Sequence, residues 1–120
     1  MKESMIFSGE KEISLDNTVN HAINFFTARI QGRFGEKIKK VILFGSYARG
    51  EATPDSNVEL MVITSDNSFD TKYEIIGMGF DLFLETGGLL SVKVTTETLF
   101  RERNGFLFFR ELSRDGVIVA

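Results

Sequence analysis

The chain is predicted to be an α/β domain, a small mixed β-sheet flanked by helices, and three features of its 120 residues predict it. Apolar residues recur at helical spacing in two long segments. Short, unbroken apolar runs lie between and after them. The two kinds of segment alternate along the chain, which favours helices layered on a sheet.

The first helix is expected from about Leu15 to Gln31, where Val19, Ile23, Phe26 and Ile30 fall on one stripe. Ser14 or Asp16 is placed to cap its start, and Gly32 and Gly35 mark its end. Val41 to Phe44 is too short for a helix and reads as a buried strand ending at Gly45. Ser46 to Ser56 reads as a loop with at most one helical turn, and Val58 to Thr64 as a second strand. A second helix opens at Ser68 or Asp70, carries an apolar pattern through Tyr73, Ile76, Phe80 and Leu84, and closes at Gly87 and Gly88. Its internal Gly77 and Gly79 each oppose it by roughly 1 kcal/mol. Leu89 to Thr95 is a third strand, Thr96 a cap, Glu97 to Arg103 and Phe106 to Arg114 short helices, and Val117 to Val119 a last strand. Met1 to Glu12 shows no periodic stripe and is expected to be a loosely attached segment of a single domain over residues 1–120.

Composition narrows the function. Without cysteine, neither a disulfide framework nor a thiolate zinc site is open to the chain, and a reducing cytoplasm is the expected compartment. No apolar run approaches the ~18 residues of a membrane span, and the first residues, MKESMIFSGEKEISLD, lack the apolar block of a signal peptide. Seventeen acids against 14 lysines and arginines give a net charge of −3, which disfavours strong nucleic-acid binding. A locally held, nucleotide-sized anion remains compatible with that charge.

One stretch concentrates polar residues at strand ends. In VILFGSYARGEATPDSNVELMVIT a Gly-Ser turn follows one buried strand, and polar residues stand at the head of the next. Gly45 lets backbone approach a ligand, and Ser46 offers a hydroxyl and an N–H to phosphate oxygens. Arg49 is placed to neutralise phosphate charge. Asn57 and Glu59, two apart on a strand, share a face and can both meet that corner. Hard oxygens at this spacing suit magnesium, whose shell is normally completed by substrate phosphates.

This stretch resembles the signature of the minimal nucleotidyltransferases of the DNA polymerase β superfamily. Gly45-Ser46, ten residues from Tyr47 to Ser56, and Asn57-Val58-Glu59 stand where that family has Gly-Ser, ten residues and Asp-x-Asp. The resemblance implies a nucleotidyltransferase-like fold and nucleotidyl transfer from a nucleoside triphosphate, ATP above all, with the triphosphate at Gly45, Ser46 and Arg49. It implies Mg²⁺ at Glu59 and Asn57, the positions of the paired catalytic aspartates. It equally implies a degenerate site: Asn57 has lost the charge, Glu59 reaches one methylene further, and the strand Leu90 to Val94, where a third acid belongs, reads Leu-Ser-Val-Lys-Val. Ser91 or Val92 would hold that third position, according to which faces inward, and Lys93 would oppose a cation if it faced the site. Mg²⁺ is therefore expected to bind weakly and transfer to be impaired.

The alternative carried by the same resemblance is a non-catalytic protein-binding module, such as the antitoxin of a HEPN/MNT-type toxin–antitoxin pair, with a helical HEPN-type partner in a homo- or hetero-oligomer. Lost metal ligands favour binding, and the intact GSYARG corner favours retained nucleotide contact. Other conspicuous residues have plainer explanations. Asp55 follows Pro54 in a turn, and His21, the single histidine, has no partner at ligand spacing. Among the 12 phenylalanines, Phe25, Phe26, Phe80, Phe83 and Phe100 fall on helical stripes and are assigned mostly to the core. The segment Gly105 to Phe109, GFLFF, is too apolar on every side to bury whole and is expected to contribute a partner-facing patch.

Overall fold

A computed structural model describes residues 4–8, 11–15, 17–65, 69–102, 110, 112 and 114–120. Strands β1 (Ser4–Ser8) and β2 (Lys11–Leu15) form an antiparallel hairpin that is a sheet of its own. Helix α1 (Asn17–Phe34) follows, then a 3₁₀ turn at Gly35–Lys37 and β3 (Ile38–Phe44). A single helical turn, α2 (Ser46–Arg49), and a loop lead to β4 (Val58–Thr64). Helix α3 (Phe69–Glu85) crosses to β5 (Leu90–Thr96), which runs into α4 (Glu97–Glu102), and β6 (Val117–Ile118) closes the chain. The second sheet has the order β5-β4-β3-β6, with β4 and β5 parallel and the other pairs antiparallel. The mixed sheet flanked by helices is the architecture expected from the sequence.

Alternation along the strands divides the interior into two layers. Val41 and Leu43 of β3 and Val58, Leu60 and Val62 of β4 face α1 and α3, forming the main core with Val19, Ile23, Phe26 and Ile30. All four predicted α1 stripe residues are buried there, and Phe26 alone, fully enclosed, stabilises the fold by about 2–3 kcal/mol through area removed from water. Ile42, Phe44, Met61 and Ile63 face the opposite side and pack with Leu112 and Phe100.

The structure corrects the reading of α3. Tyr73, Ile76, Phe80 and Leu84, the stripe that identified the helix, are its exposed side, while Thr71, Ile75, Gly79 and Leu82 face the sheet. Two apolar faces lie on this helix, and the more regular one points outward. Gly79, which argued against a helix, is what lets it approach: a Cβ there would stand 2.7 Å from Cβ of Val92 on β5. Phe25 of α1 is likewise exposed rather than core, and Phe83 and Phe100 are half-buried.

Other boundaries move little. Gly32 lies inside α1, and its end falls at the positive φ of Gly35. Thr96 caps α4 as expected, its Oγ1 accepting from the Leu99 N–H at 3.2 Å. Ser14 lies in β2 rather than at a cap. Asp16, Ser68, the GFLFF segment and most of the expected helix from Phe106 to Arg114 fall outside the described residues.

Candidate functional site

The Gly45-Ser46 corner is made by the end of β3 and the single turn of α2. Gly45 has φ 78° and ψ −157°, a combination that only glycine adopts without strain. Its carbonyl accepts from the N–H groups of Ala48 at 3.1 Å and Arg49 at 3.2 Å, which winds the turn. The N–H groups of Ser46 and Tyr47 precede those bonds, the position where helix amides meet anions. Ala48 is fully buried and anchors the turn to the core. Gly50, in the left-handed region, ends it by donating to the Tyr47 carbonyl at 3.4 Å.

Glu59 comes to this corner through strand register. It pairs with Phe44, the residue before Gly45, so its side chain rises beside the turn. The approach is close enough that a Cβ on Gly45 would collide with Glu59 Oε2 and stand 3.1 Å from its Cδ. The two residues therefore make a single feature, a half-buried carboxylate seated on bare backbone. Among the described residues it has neither an ion-pair nor a hydrogen-bond partner.

Register also settles which residue of β5 neighbours Glu59. The partner is Ser91, and Met61 is opposite Lys93, so Ser91 and Lys93 share the Glu59 face of the sheet. Val92 and Val94 point into the main core. Ser91, half-buried, thus occupies the place where a third acid would meet Glu59, and exposed Lys93 lies one step further along the same face. Asn57 is exposed and stands just before β4 rather than in it. Arg49, expected to meet phosphate, is exposed too, and its Nε donates to Glu51 Oε1 at 2.8 Å. Opposite charges two apart in the loop were the signal for that pair. His21 is on α1, beside a groove between α1 and α3, and is not among the residues that the strand register brings to Glu59.

The oxygens near Glu59 can be tested against magnesium. One carboxylate with neutral oxygens from Asn57 and Ser91 fits a single Mg²⁺ that arrives on a triphosphate, since such ions commonly rest on one or two carboxylates and substrate oxygens. It does not fit two adjacent dications, which need several negative charges between them. Among the described residues, no three His, Cys, Asp or Glu side chains cluster as a metal site.

A mixed sheet with a Gly-Ser turn facing an acid on the next strand defines a class, and the comparisons identify it. Residues 28–114 match the model of the nucleotidyltransferase domain, so the chain belongs to the nucleotidyltransferase domain family. It is 32% identical over 98 residues, 82% of this chain and 94% of the relative, to a candidate protein adenylyltransferase of Methanocaldococcus jannaschii. A second candidate protein adenylyltransferase of that organism is 37% identical over 51 residues, 42% of this chain and 35% of the relative.

Solved structures agree on the fold. A candidate nucleotidyltransferase of Sulfolobus solfataricus aligns with a TM-score of 0.58 at 14% identity, over 84% of this chain and 78% of that one. A toxin–antitoxin crystallised with AMP-PNP aligns at 0.53 and 16%, over 80% and 71%. Among the described residues no helix is long and apolar enough to cross a membrane.

Proposed function

We propose that the corner of Gly45, Ser46 and Glu59 binds a nucleoside triphosphate, ATP above all, in a family member whose metal-dependent nucleotidyl transfer is impaired. The observation that carries this reading is the lone Glu59 carboxylate on Gly45, with Ser91 rather than an acid as its register partner. Backbone N–H groups of Ser46 and Tyr47 would hold phosphate oxygens, and Ser46 Oγ would add a donor. Arg49 would add its charge on leaving Glu51. A bound Mg²⁺ would neutralise part of the triphosphate charge. With a single negative side chain to hold it, that ion would depend on the nucleotide for most of its ligands.

The relatives named for protein adenylylation suggest AMP as the group transferred and a protein side chain as the acceptor, if turnover survives. A second reading is a protein-binding module paired with a helical HEPN-type toxin. It is favoured by a neighbour that is itself a toxin–antitoxin, and it tolerates lost metal ligands. Either role suits the reducing cytoplasm that a cysteine-free chain leaves open.

Calorimetric titration of ATP with and without Mg²⁺ tests the first reading. ATP is expected to bind in EDTA, with Mg²⁺ tightening it less than about tenfold, roughly 1.4 kcal/mol. Tightening of a hundredfold or more, with label from α-phosphate-labelled ATP appearing on protein, would show an intact enzyme. No binding under either condition would leave the protein-binding module.

A further inference from the structure

Helix α3 carries an outward face that the nucleotide site does not explain. Tyr73, Ile76, Phe80 and Leu84 are 59%, 39%, 59% and 62% exposed. Their spacing of three, four and four residues makes one ridge about three turns long. Phe80 does not swing freely, because its ring is stacked on half-buried Phe83, with centroids 6.3 Å apart. Gly77 sits within the ridge, and a Cβ there would meet no atom within 4 Å, so it leaves a notch where a neighbouring helix can come close.

The acids beside this ridge all lie on one side of it, with Lys72 on the other. At 100° per residue, Asp70, Glu74, Asp81 and Glu85 all fall along the same edge of α3, the edge towards α1. Glu74 is paired with Arg33 of α1 at 3.0 Å. Asp70, Asp81 and Glu85 have no ion pair among the described residues. At the Leu84 end, the edge opens into a groove lined by His21, Phe25, Leu82, Glu85 and Thr86.

We propose that this face docks an amphipathic helix of another protein, one with an apolar stripe and Lys or Arg along a single edge. Ridge spacing selects a helix, which fills the rows on either side of Gly77 with its own side chains. Charge selects the partner. A second copy of this chain is disfavoured, because antiparallel pairing of α3 about a two-fold axis sets acidic edge against acidic edge. Phe80, held in advance by Phe83, is the anchor that loses least freedom on binding. The face lies across the sheet from Glu59, so this inference and the nucleotide reading fail independently.

The test uses two synthetic helix-stapled peptides of about five turns, identical in their leucine stripe, one with lysines and the other with glutamates along one edge. Fluorescence anisotropy is expected to show the lysine peptide binding at least tenfold tighter, with amide shifts in labelled protein confined to α3 and the α1 residues beside it. Phe80→Ser and Leu84→Ser, each surface changes that should keep the native melting curve, are expected to weaken it tenfold or more. Asp81→Lys with Glu85→Lys should reverse the preference between the peptides. Equal binding of both peptides, or no loss in both serine variants, would overturn the proposal. So would sedimentation showing a dimer of the protein alone that Phe80→Ser dissociates, since the occupant would then be a second copy.

Discussion

Gly45 carries two constraints at once, and they can be separated by substitution. Its positive φ penalises any side chain, and the Glu59 carboxylate fills the space a Cβ would need. Gly45→Ala is therefore expected to cost about 1–3 kcal/mol from backbone strain alone, and more while Glu59 is present. In Gly45→Ala with Glu59→Ala, chemical denaturation should recover the steric part and leave the strain. Equal losses with and without Glu59 would mean that the acid does not lie over the glycine. Around the same acid, Ser91→Asp places a second carboxylate at its register partner. In EDTA this variant should lose about 1 kcal/mol, as like charges facing across strands repel. Mg²⁺ with ATP should restore the loss and raise the melting temperature above that of the parent, because a ligand bound only by the folded state stabilises it. Adding Asn57→Asp should strengthen the Mg²⁺ effect. A Ser91→Asp variant indifferent to Mg²⁺ would argue that this face does not hold a cation.

At the scale of one element, α3 makes opposite demands on two glycines two residues apart. Gly77 faces outward with nothing near it, so Gly77→Ala should stabilise the protein by about 0.5–1 kcal/mol through helix propensity and reduced freedom of the unfolded chain. Gly79 lies against Val92, and Gly79→Ala should destabilise by about 1–3 kcal/mol despite the same gain in propensity, because the helix must lift from β5. Urea midpoints of the two single variants decide this. Gly79→Ala paired with Val92→Ala should recover much of the loss, which a purely local helix effect would not. The C-terminal end of the helix is fixed by Thr86, whose Oγ1 donates to the Leu82 carbonyl at 2.6 Å and accepts from the Leu90 N–H at 3.3 Å. One hydroxyl thus adds a second bond to a carbonyl that already accepts from the Thr86 N–H and aligns the first amide of β5, and so helps to set the register that brings Ser91 to Glu59.

For the whole molecule, the N-terminal hairpin is the natural point of division. Its strands pair with each other and exchange no ladder hydrogen bonds with the four-stranded sheet, so a chain lacking residues 1–15 should retain its cooperative transition. The melting temperature is expected to fall by less than about 5 °C, the shift that roughly 1 kcal/mol makes in a domain of this size. A fall of ten degrees or more would show that the hairpin belongs to the fold's core. The rest of the chain has no comparable break. β3 lies between β4 and β6, which joins residues from the middle and the end of the sequence in one sheet.

Sequence alone determined the features that depend on local spacing. The stripe Val19, Ile23, Phe26 and Ile30 specified α1, because an apolar repeat near 3.6 gathers those side chains on one side of a helix, and that is the side α1 buries. The runs at Val41–Phe44 and Val58–Thr64 specified two strands, and Gly45-Ser46 with Glu59 at a fixed distance marked a candidate site. What it left open were relations across the chain. Whether Ser91 or Val92 neighbours Glu59 depends on the parity of β5 against β4, and a one-residue slip would exchange them. Which of α3's two apolar faces is buried was decided by Gly79 fitting under Val92, a contact between residues 13 apart that no local pattern encodes. The turn at Gly45 is written in one residue. The acid that makes it a candidate site arrives only when β4 pairs with β3 and sets Glu59 beside Phe44.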